Sequence, residues 1–278
     1  MELRHKYDLE ILLKCLNMAR SSFYYHANQS LTPDKYAVVK ARIHEIYHQH
    51  KGRFGYRRIT LQLRQEGVVI NHKTVLRLMQ SLDLKSVIRI KKYKSYKGEQ
   101  GKIAQNYLNR AFKAEKPNQK WATDITEFNV SGKKLYLSPV IDLFNQEIIS
   151  YELAERPNFK FVMKMLKKAL RTGEITNSLL VHSDQGWHYQ MKQYQQLLKQ
   201  NGITQSMSRK GNCLDNAIIE NFFGILKSEL FYLKKYSSTR ELEKEIREYI
   251  NYYNYDRIKL NLNGMSPIQY RAHYFKYN

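Results

Sequence analysis

The chain has 278 residues, of which 42% are hydrophobic, and a formal net charge of +22. That length holds two modest domains or one elaborated domain, and that apolar share excludes wholesale disorder. So large a positive charge points to a polyanionic partner, with nucleic acid ahead of membrane because no apolar run approaches the ~20 residues a bilayer crossing needs.

Cys15 and Cys213 are the only cysteines, and neither has a His or Cys at ligand spacing. A disulfide framework and a zinc module are therefore excluded, and a reducing compartment is expected. No secretory leader is visible at Met1, which adds to the expectation of an intracellular protein.

The first helical run extends from about Tyr7 to Ala19 with Leu9, Leu12, Leu13 and Leu16 on one side, and Ser21 or Ser22 is a natural cap for the next helix. Val39, Ile43, Ile46 and Tyr47 predict an amphipathic helix between Asp34 and His50, ended by Gly52. A helix over Tyr56 to Glu66, a turn at Gly67 and a helix over Lys73 to Asp83 follow, the last capped by Asn71 with Val75, Leu76, Met79 and Leu82 inside. Two short helices about a glycine turn, carrying Arg57, Arg58, Arg64, Lys73 and Arg77, read as a helix-turn-helix. The bland alternative is a three-helix bundle with a charged exterior; the net charge favours DNA.

From Lys85 to Lys116 basic residues dominate, punctuated by Tyr93, Tyr96, Gly98 and Gly101. Such a run reads as an extended linker that touches DNA, with a domain boundary near Pro117. WATDITEFNV then alternates like a strand, Ser131-Gly132-Lys133 marks a hairpin, and KKLYLSPVIDLF and QEIISYELA add two strands joined across Asn145-Gln146. A helix from Phe159 to Arg171, a strand at Leu179, a helix with Tyr194, Leu197 and Leu198, and a short strand at Ile203 come next. The helix bearing Glu220 is marked by Ile218, Ile219, Phe222, Ile225 and Leu226, and the final helix by Leu242, Ile246, Tyr249 and Ile250. The order β-β-β-α-β-α-β-α is an α/β sheet of mixed direction.

Asp124 lies inside a half-buried strand, where an acid is costly unless paired or bound to a cation. With the first strand central and next to the Leu179 strand, Asp124 and Asp184 would stand side by side at the sheet end where α/β folds gather ligands. Two such carboxylates repel unless a divalent ion lies between them, and hard oxygen donors suit Mg²⁺ or Mn²⁺. A third acid on a helix would complete a two-metal clamp for phosphodiester chemistry. Singly, Asp124 reads as a strand acid paired with Lys133 or Lys134, Asp184 as a turn former before Gly186, and Glu220 as a solvated helix residue. Their joint placement argues otherwise. Among rival acids, Asp142 reads as an edge or turn residue, Asp215 as a helix cap and Glu229 as solvated. His182 reads as a packed strand histidine. Lys227, on Glu220's own helical face, suits a phosphate contact, and Arg209 and Lys210 suit a basic loop reaching DNA.

Asp124, Asp184 and Glu220, with thirty-five residues between the last two, resemble the DDE triad of retroviral-type integrases and transposases. The texts WATDIT, HSDQGWHY, SRKGNCLDNAIIENFFGILKSE and YYNYDRIKLNLNGMSPIQYR, with GYRRI upstream, resemble the OrfB product of the insertion-sequence-three family of bacterial elements. Gln185 and Trp187 stand where many relatives have arginine and serine. The resemblance implies a ribonuclease-H-like mixed sheet with flanking helices, preceded by a small all-α helix-turn-helix domain. Accordingly the chain is divided into a helical segment (1–33), a helix-turn-helix domain (34–84), a basic linker (85–116) and a catalytic core with its C-terminal helix (117–278).

The resemblance further implies metal-dependent cleavage and transfer of DNA strands, with Asp124, Asp184 and Glu220 holding two Mg²⁺ or Mn²⁺ ions. Its implied partners are double-stranded DNA of element ends and target, further copies of the chain, and an upstream-frame product. The implied place of work is the bacterial cytoplasm, at the nucleoid. A purely hydrolytic nuclease of this fold and a non-catalytic helix-turn-helix regulator are the competing functions. A tyrosine recombinase, suggested by the spacing of His50 and Arg53, fits poorly because both precede any catalytic core.

Overall fold

The computed structural model describes residues 6–31, 34–87, 104–109, 111–172, 178–209 and 216–277. They divide into two units, residues 1–59 with 70–85 and residues 60–69 with 86–278. No helix of the described residues is long and apolar enough to cross a membrane.

In the first unit, Asp8 caps α1 (Leu9–Cys15) by accepting the Glu10 N–H at 3.3 Å. Leu13 is its one buried residue, and Leu16 is exposed. The next helix, α2 (Arg20–Leu31), starts one residue before Ser21, so Ser21 and Ser22 sit in its first turn instead of capping it. α3 (Ala37–Gln49) buries Ile43 and Ile46 and ends before Gly52, whose φ of 71° needs a residue without a Cβ. α4 (Tyr56–Gln65) crosses the division between the units. α5 (His72–Ser81) is capped by Asn71, which accepts the Lys73 N–H at 2.8 Å, and it packs on α3. Its inner face is Val75, Leu78 and Met79; Leu76, expected inside, is exposed. His50 and Arg53 are buried, with the His50 ring stacked 3.7 Å from that of Phe54, a packing role unlike that of a recombinase pair.

The second unit is built on a sheet. WATDITEFNV is not one strand but two, β1 (Lys120–Thr123) and β2 (Thr126–Val130), interrupted at Asp124-Ile125. β3 (Lys133–Asp142) pairs antiparallel with both, Leu137 opposite Thr126 and Val140 opposite Thr123. β4 (Ile148–Ala154) pairs antiparallel with the same stretch of β3. A strand has two edges, so β1 and β2 follow one another along one edge of β3 and β4 takes the other. The β2–β3 turn places Ser131 at φ 50° and Gly132 at φ 84°, both positive as a two-residue hairpin of this twist requires.

β5 (Leu180–Ser183) lies parallel to β1 on its other side, and β6 (Thr204–Met207) lies parallel to β5. Residues within the stretch read as linker are bound here. Leu108 is buried and donates its N–H to Ser206 Oγ at 3.0 Å, and Lys120 Nζ donates to the carbonyls of Ala111 and Lys113. The basic composition hid this because the anchoring group, Ser206, lies about a hundred residues away.

Helices cover both faces. α6 (Phe159–Leu170), capped by Asn158, and α8 (Lys192–Gln200), which follows the single turn α7 (Trp187–Gln190), bury Phe161, Met165, Leu166, Tyr194 and Leu198 with Trp121, Val140 and Val181. α9 (Ala217–Glu229) and α10 (Thr239–Tyr255) bury Ile219, Phe222, Leu226, Leu242, Ile246 and Tyr249 with Ala122, Leu135, Leu137 and Ile141. Neighbouring Trp121 and Ala122 thus serve opposite cores, as strand alternation demands.

Two acids differ from expectation. Asp142 ends β3 and opens the turn that follows, one of its two readings, but it is fully buried: it accepts the N–H groups of Asn118 and Phe144 and pairs with Arg271 of α11 (Pro267–Tyr277). Burial still pushes its carboxyl up to about 6. Glu229 is not solvated: only 1% of it is exposed, and it pairs with Arg257.

Candidate active site

Strand register brings the two aspartates together. Thr123 ends β1 and Ser183 ends β5, and these are register partners in a parallel pair. The next residue on each strand is an aspartate, so Asp124 and Asp184 leave neighbouring strands about 4.8 Å apart at the same sheet end. Each carboxylate is held by its own turn: Asp124 Oδ1 accepts the Ile125 N–H at 2.7 Å, and Asp184 Oδ1 accepts the Gly186 N–H at 2.9 Å. In both, the second oxygen makes no hydrogen bond to a described residue and remains open to a ligand.

Glu220 approaches from the first turn of α9, which the burial of Ile219, Phe222, Phe223 and Leu226 seats on the sheet. Burial pushes the Asp124 carboxyl well above the usual range, the charge of Asp184 adds to this, and Glu220 adds again; the Ile125 N–H and Lys227 oppose it. Burial likewise raises Asp184, opposed by the Gly186 N–H and by His188. Lys227, two turns along α9 from Glu220, is half-buried with its ammonium 5.3 Å from the centre of the Phe128 ring. Among the described residues, no three His, Cys, Asp or Glu groups form a closed metal-holding cluster. The acids are gathered without being drawn into one ligand set. Their chemistry nevertheless suits a hard divalent cation, since crowded carboxylates with open oxygens are relieved by positive charge.

Tyr189 and Gly186 were not anticipated as contributors. The Tyr189 side chain is buried beside the pair, and burial together with the charges of Asp184 and Asp124 raises its hydroxyl pKa well above normal. A Cβ on Gly186 would stand 2.9 Å from Asp184 Oδ1 and 3.3 Å from the Tyr189 ring. The spacing Asp-x-Gly-x-x-Tyr was the available signal. His182 is fully buried with Nδ1 2.9 Å from Ser206 Oγ, as a packed strand histidine should be. Gln185 donates to the Ser208 carbonyl, and Trp187 is exposed and stacks on His188.

The remaining basic candidates are dispersed. Arg209 is exposed just beyond β6, whereas Lys210 and Asp215 lie outside the described residues. Lys73 and Arg77 are exposed on one face of α5. Arg57 is exposed, with Nε 3.1 Å from the Tyr56 hydroxyl. Arg58 is turned inward, donating to the Arg53 carbonyl at 3.2 Å with its guanidinium over the Phe54 ring.

A mixed sheet between helix layers, acids at the ends of its central parallel strands and a helical region ahead of it define an integrase-type DNA-processing enzyme. Family comparison agrees: residues 33–92 match an HTH-like domain, and residues 114–213 and 220–275 match integrase core domains. The chain is 57% identical to the putative transposase InsK of insertion sequence element IS150 from Escherichia coli K12, over 97% of this chain and 95% of that one. It is 54% identical to an uncharacterized transposase-like protein of Haemophilus influenzae, over 77% of this chain and 98% of that one. A chain in the simian T-cell lymphotropic virus intasome aligns with TM-score 0.50 at 17% identity, covering 84% of this chain and 74% of that one, which shows the fold alone. The chain belongs to the insertion-sequence-three family of DDE transposases.

Proposed function

We propose that Asp124, Asp184 and Glu220 are the catalytic carboxylates of this transposase and hold two divalent cations, Mg²⁺ or Mn²⁺, during DNA strand cleavage and strand transfer. The observation that carries this reading is the register pairing of Thr123 with Ser183, which sets two raised, half-buried aspartates side by side. Glu220 lies near enough to add to their repulsion. Bound divalent ions supply the charge that activates an attacking oxygen and stabilises a leaving one. The chain's own acids orient the scissile phosphodiester, and Lys227 offsets negative charge at their edge.

In the first step water adds to phosphorus at an element end and the P–O3′ bond breaks, the released oxygen taking a proton as a 3′-hydroxyl. In the second step that hydroxyl attacks a phosphodiester of another strand: a new P–O3′ bond forms, an old one breaks, and a target 3′-hydroxyl leaves. Lys73, Arg77, Arg57, Arg209 and Lys210 serve as duplex contacts, while Arg58 holds the turn before α4. The catalytic body starts near Ala104, earlier than composition suggested, given the bonds from that stretch to β6 and β1. Joining two DNA ends requires both to be held at once, so the working form is several copies on DNA, aided by an upstream-frame product at the nucleoid.

The test is Asp184→Asn assayed on element-end DNA, both intact and pre-cut with a free 3′-hydroxyl. Cleavage and joining should both vanish while duplex binding persists. Retained joining by the variant refutes the assignment, and wild-type protein that hydrolyses without joining refutes strand transfer.

A further inference from the structure

The six basic residues between Arg156 and Arg171 are Arg156, Lys160, Lys164, Lys167, Lys168 and Arg171, and the same stretch holds no acid. At 100° per residue, Lys160, Lys164, Lys167 and Arg171 fall within about 60° of one another, opposite the buried Val162, Met165 and Ala169. They form a straight stripe about 16 Å long at 1.5 Å per residue. All four are exposed.

Three features separate this face from an ordinary solvated one. Like charges at i,i+4 (Lys160 with Lys164, Lys167 with Arg171) destabilise a helix by themselves, so they are an odd choice for a purely structural surface. By contrast α10 mixes signs, and its Glu243 pairs with Arg247 while Glu241 and Glu245 pair with Lys234. Among the described residues the acid that pairs with α6 is Glu152, through Lys164 and Lys168; Lys160, Lys167 and Arg171 make no ion pair with a described residue.

The stripe also starts at the catalytic end of the sheet. β4 is antiparallel to β3, which is antiparallel to β1, so β4 and β1 finish at the same end, and α6 begins there. The connection is direct: His188, four residues after Asp184, donates from Nε2 to the carbonyl of Pro157 at 2.6 Å, just ahead of α6.

We propose that the outer face of α6 is a second DNA-binding surface, a phosphate track that carries duplex DNA away from the acid site. Spaced about 5 Å apart along one line, its cations meet successive backbone phosphates and read no sequence. The proposal rests on the DNA-processing reading for the identity of the polyanion, but not on which carboxylates do the chemistry.

The experiment is equilibrium binding of the full chain to a fluorescein-labelled random-sequence DNA duplex across a salt series. The triple variant K160Q/K167Q/R171Q should lower the slope of log K against log salt by about 2–3, at ~0.9 for each phosphate no longer neutralised. It should do so equally in a K73A/R77A background, and K160R/K167R should keep the wild-type slope. The triple variant should melt no lower than wild type, because like charges have been removed from exposed positions. An unchanged slope in a folded triple variant overturns the proposal. So does a changed sedimentation coefficient with an unchanged slope, which would make this face a contact between copies. Failure on either count leaves the carboxylate assignment standing, since that is read by strand cleavage.

Discussion

Arg257 grips Glu229 through two hydrogen bonds, Nε to Oε2 at 2.9 Å and Nη2 to Oε1 at 2.7 Å, and both side chains are almost wholly buried. The Tyr249 hydroxyl donates to Oε2 as well, at 2.8 Å. Glu229 is the last residue of α9, where the helix dipole disfavours an anion, so the paired cation is what makes a carboxylate tolerable there. Removing either partner strands the other. Glu229→Ala or Arg257→Ala should each lower unfolding free energy by about 3–5 kcal/mol, and Glu229→Leu with Arg257→Met should recover much of it. Denaturant titration checks this, and single losses below about 1 kcal/mol would contradict it.

A second prediction concerns the sign of a pH effect. Asp124 is raised from its ordinary 3.8 by burial first and then by Asp184, so the folded chain holds that proton more tightly than the unfolded one. Stability linked to this group is therefore full below the unfolded value and lost as pH rises through the folded one. Metal-free Asp124→Asn should melt higher than wild type at neutral pH, and its advantage should shrink on acidification. Added Mg²⁺ should raise the wild-type melting temperature and leave the variant nearly unmoved. A variant that melts lower at neutral pH without metal contradicts the crowding of these acids.

Gly186→Ala tests the fit around Asp184. The backbone there is ordinary, with φ −56° and ψ 137°, so any effect comes from contact and not from strain. The added methyl would push on Asp184 Oδ1 at 2.9 Å or on the Tyr189 ring at 3.3 Å. Since a misplacement near 1 Å can cost about 100-fold in rate, cleavage should drop by about that factor. The accompanying stability loss should stay within about 1–3 kcal/mol. Full activity in this variant would show that Asp184 does not need its present position.

The helix-turn-helix cations should divide by orientation. Lys73→Ala and Arg77→Ala are expected to weaken duplex binding and each to reduce the salt slope by about 0.9. Arg58→Ala should leave the slope alone and instead lower the melting temperature, because that guanidinium bonds Arg53 and covers Phe54. Salt titration and thermal melts on the same three variants check this, and a slope change for Arg58→Ala would reverse its assignment.

Sequence reading succeeded where local periodicity carries the information. The neighbouring placement of Asp124 and Asp184 followed from setting the Trp121 strand centrally beside the Leu179 strand, and the two strands do pair in parallel. It failed where the deciding partner is remote. Glu229 looks solvated and Asp142 an edge or turn acid until Arg257 and Arg271 are folded against them. The break in WATDITEFNV leaves only a faint mark, the odd three-residue step from Ile125 to Phe128 in an otherwise strand-like run. Lys210 and Asp215 fall outside the described residues, so their expected roles rest on sequence.

Asp124 and Asp184 owe their positions to main-chain pairing between β1 and β5, whereas Glu220 rides on α9, whose seat is made of side chains. Amino-acid changes around the sheet leave a ladder of amides and carbonyls intact, but changes under α9 tilt or slide the whole rod. Copies of such an element accumulating random substitutions would thus fall silent through that helix first, while the aspartates still stood in place.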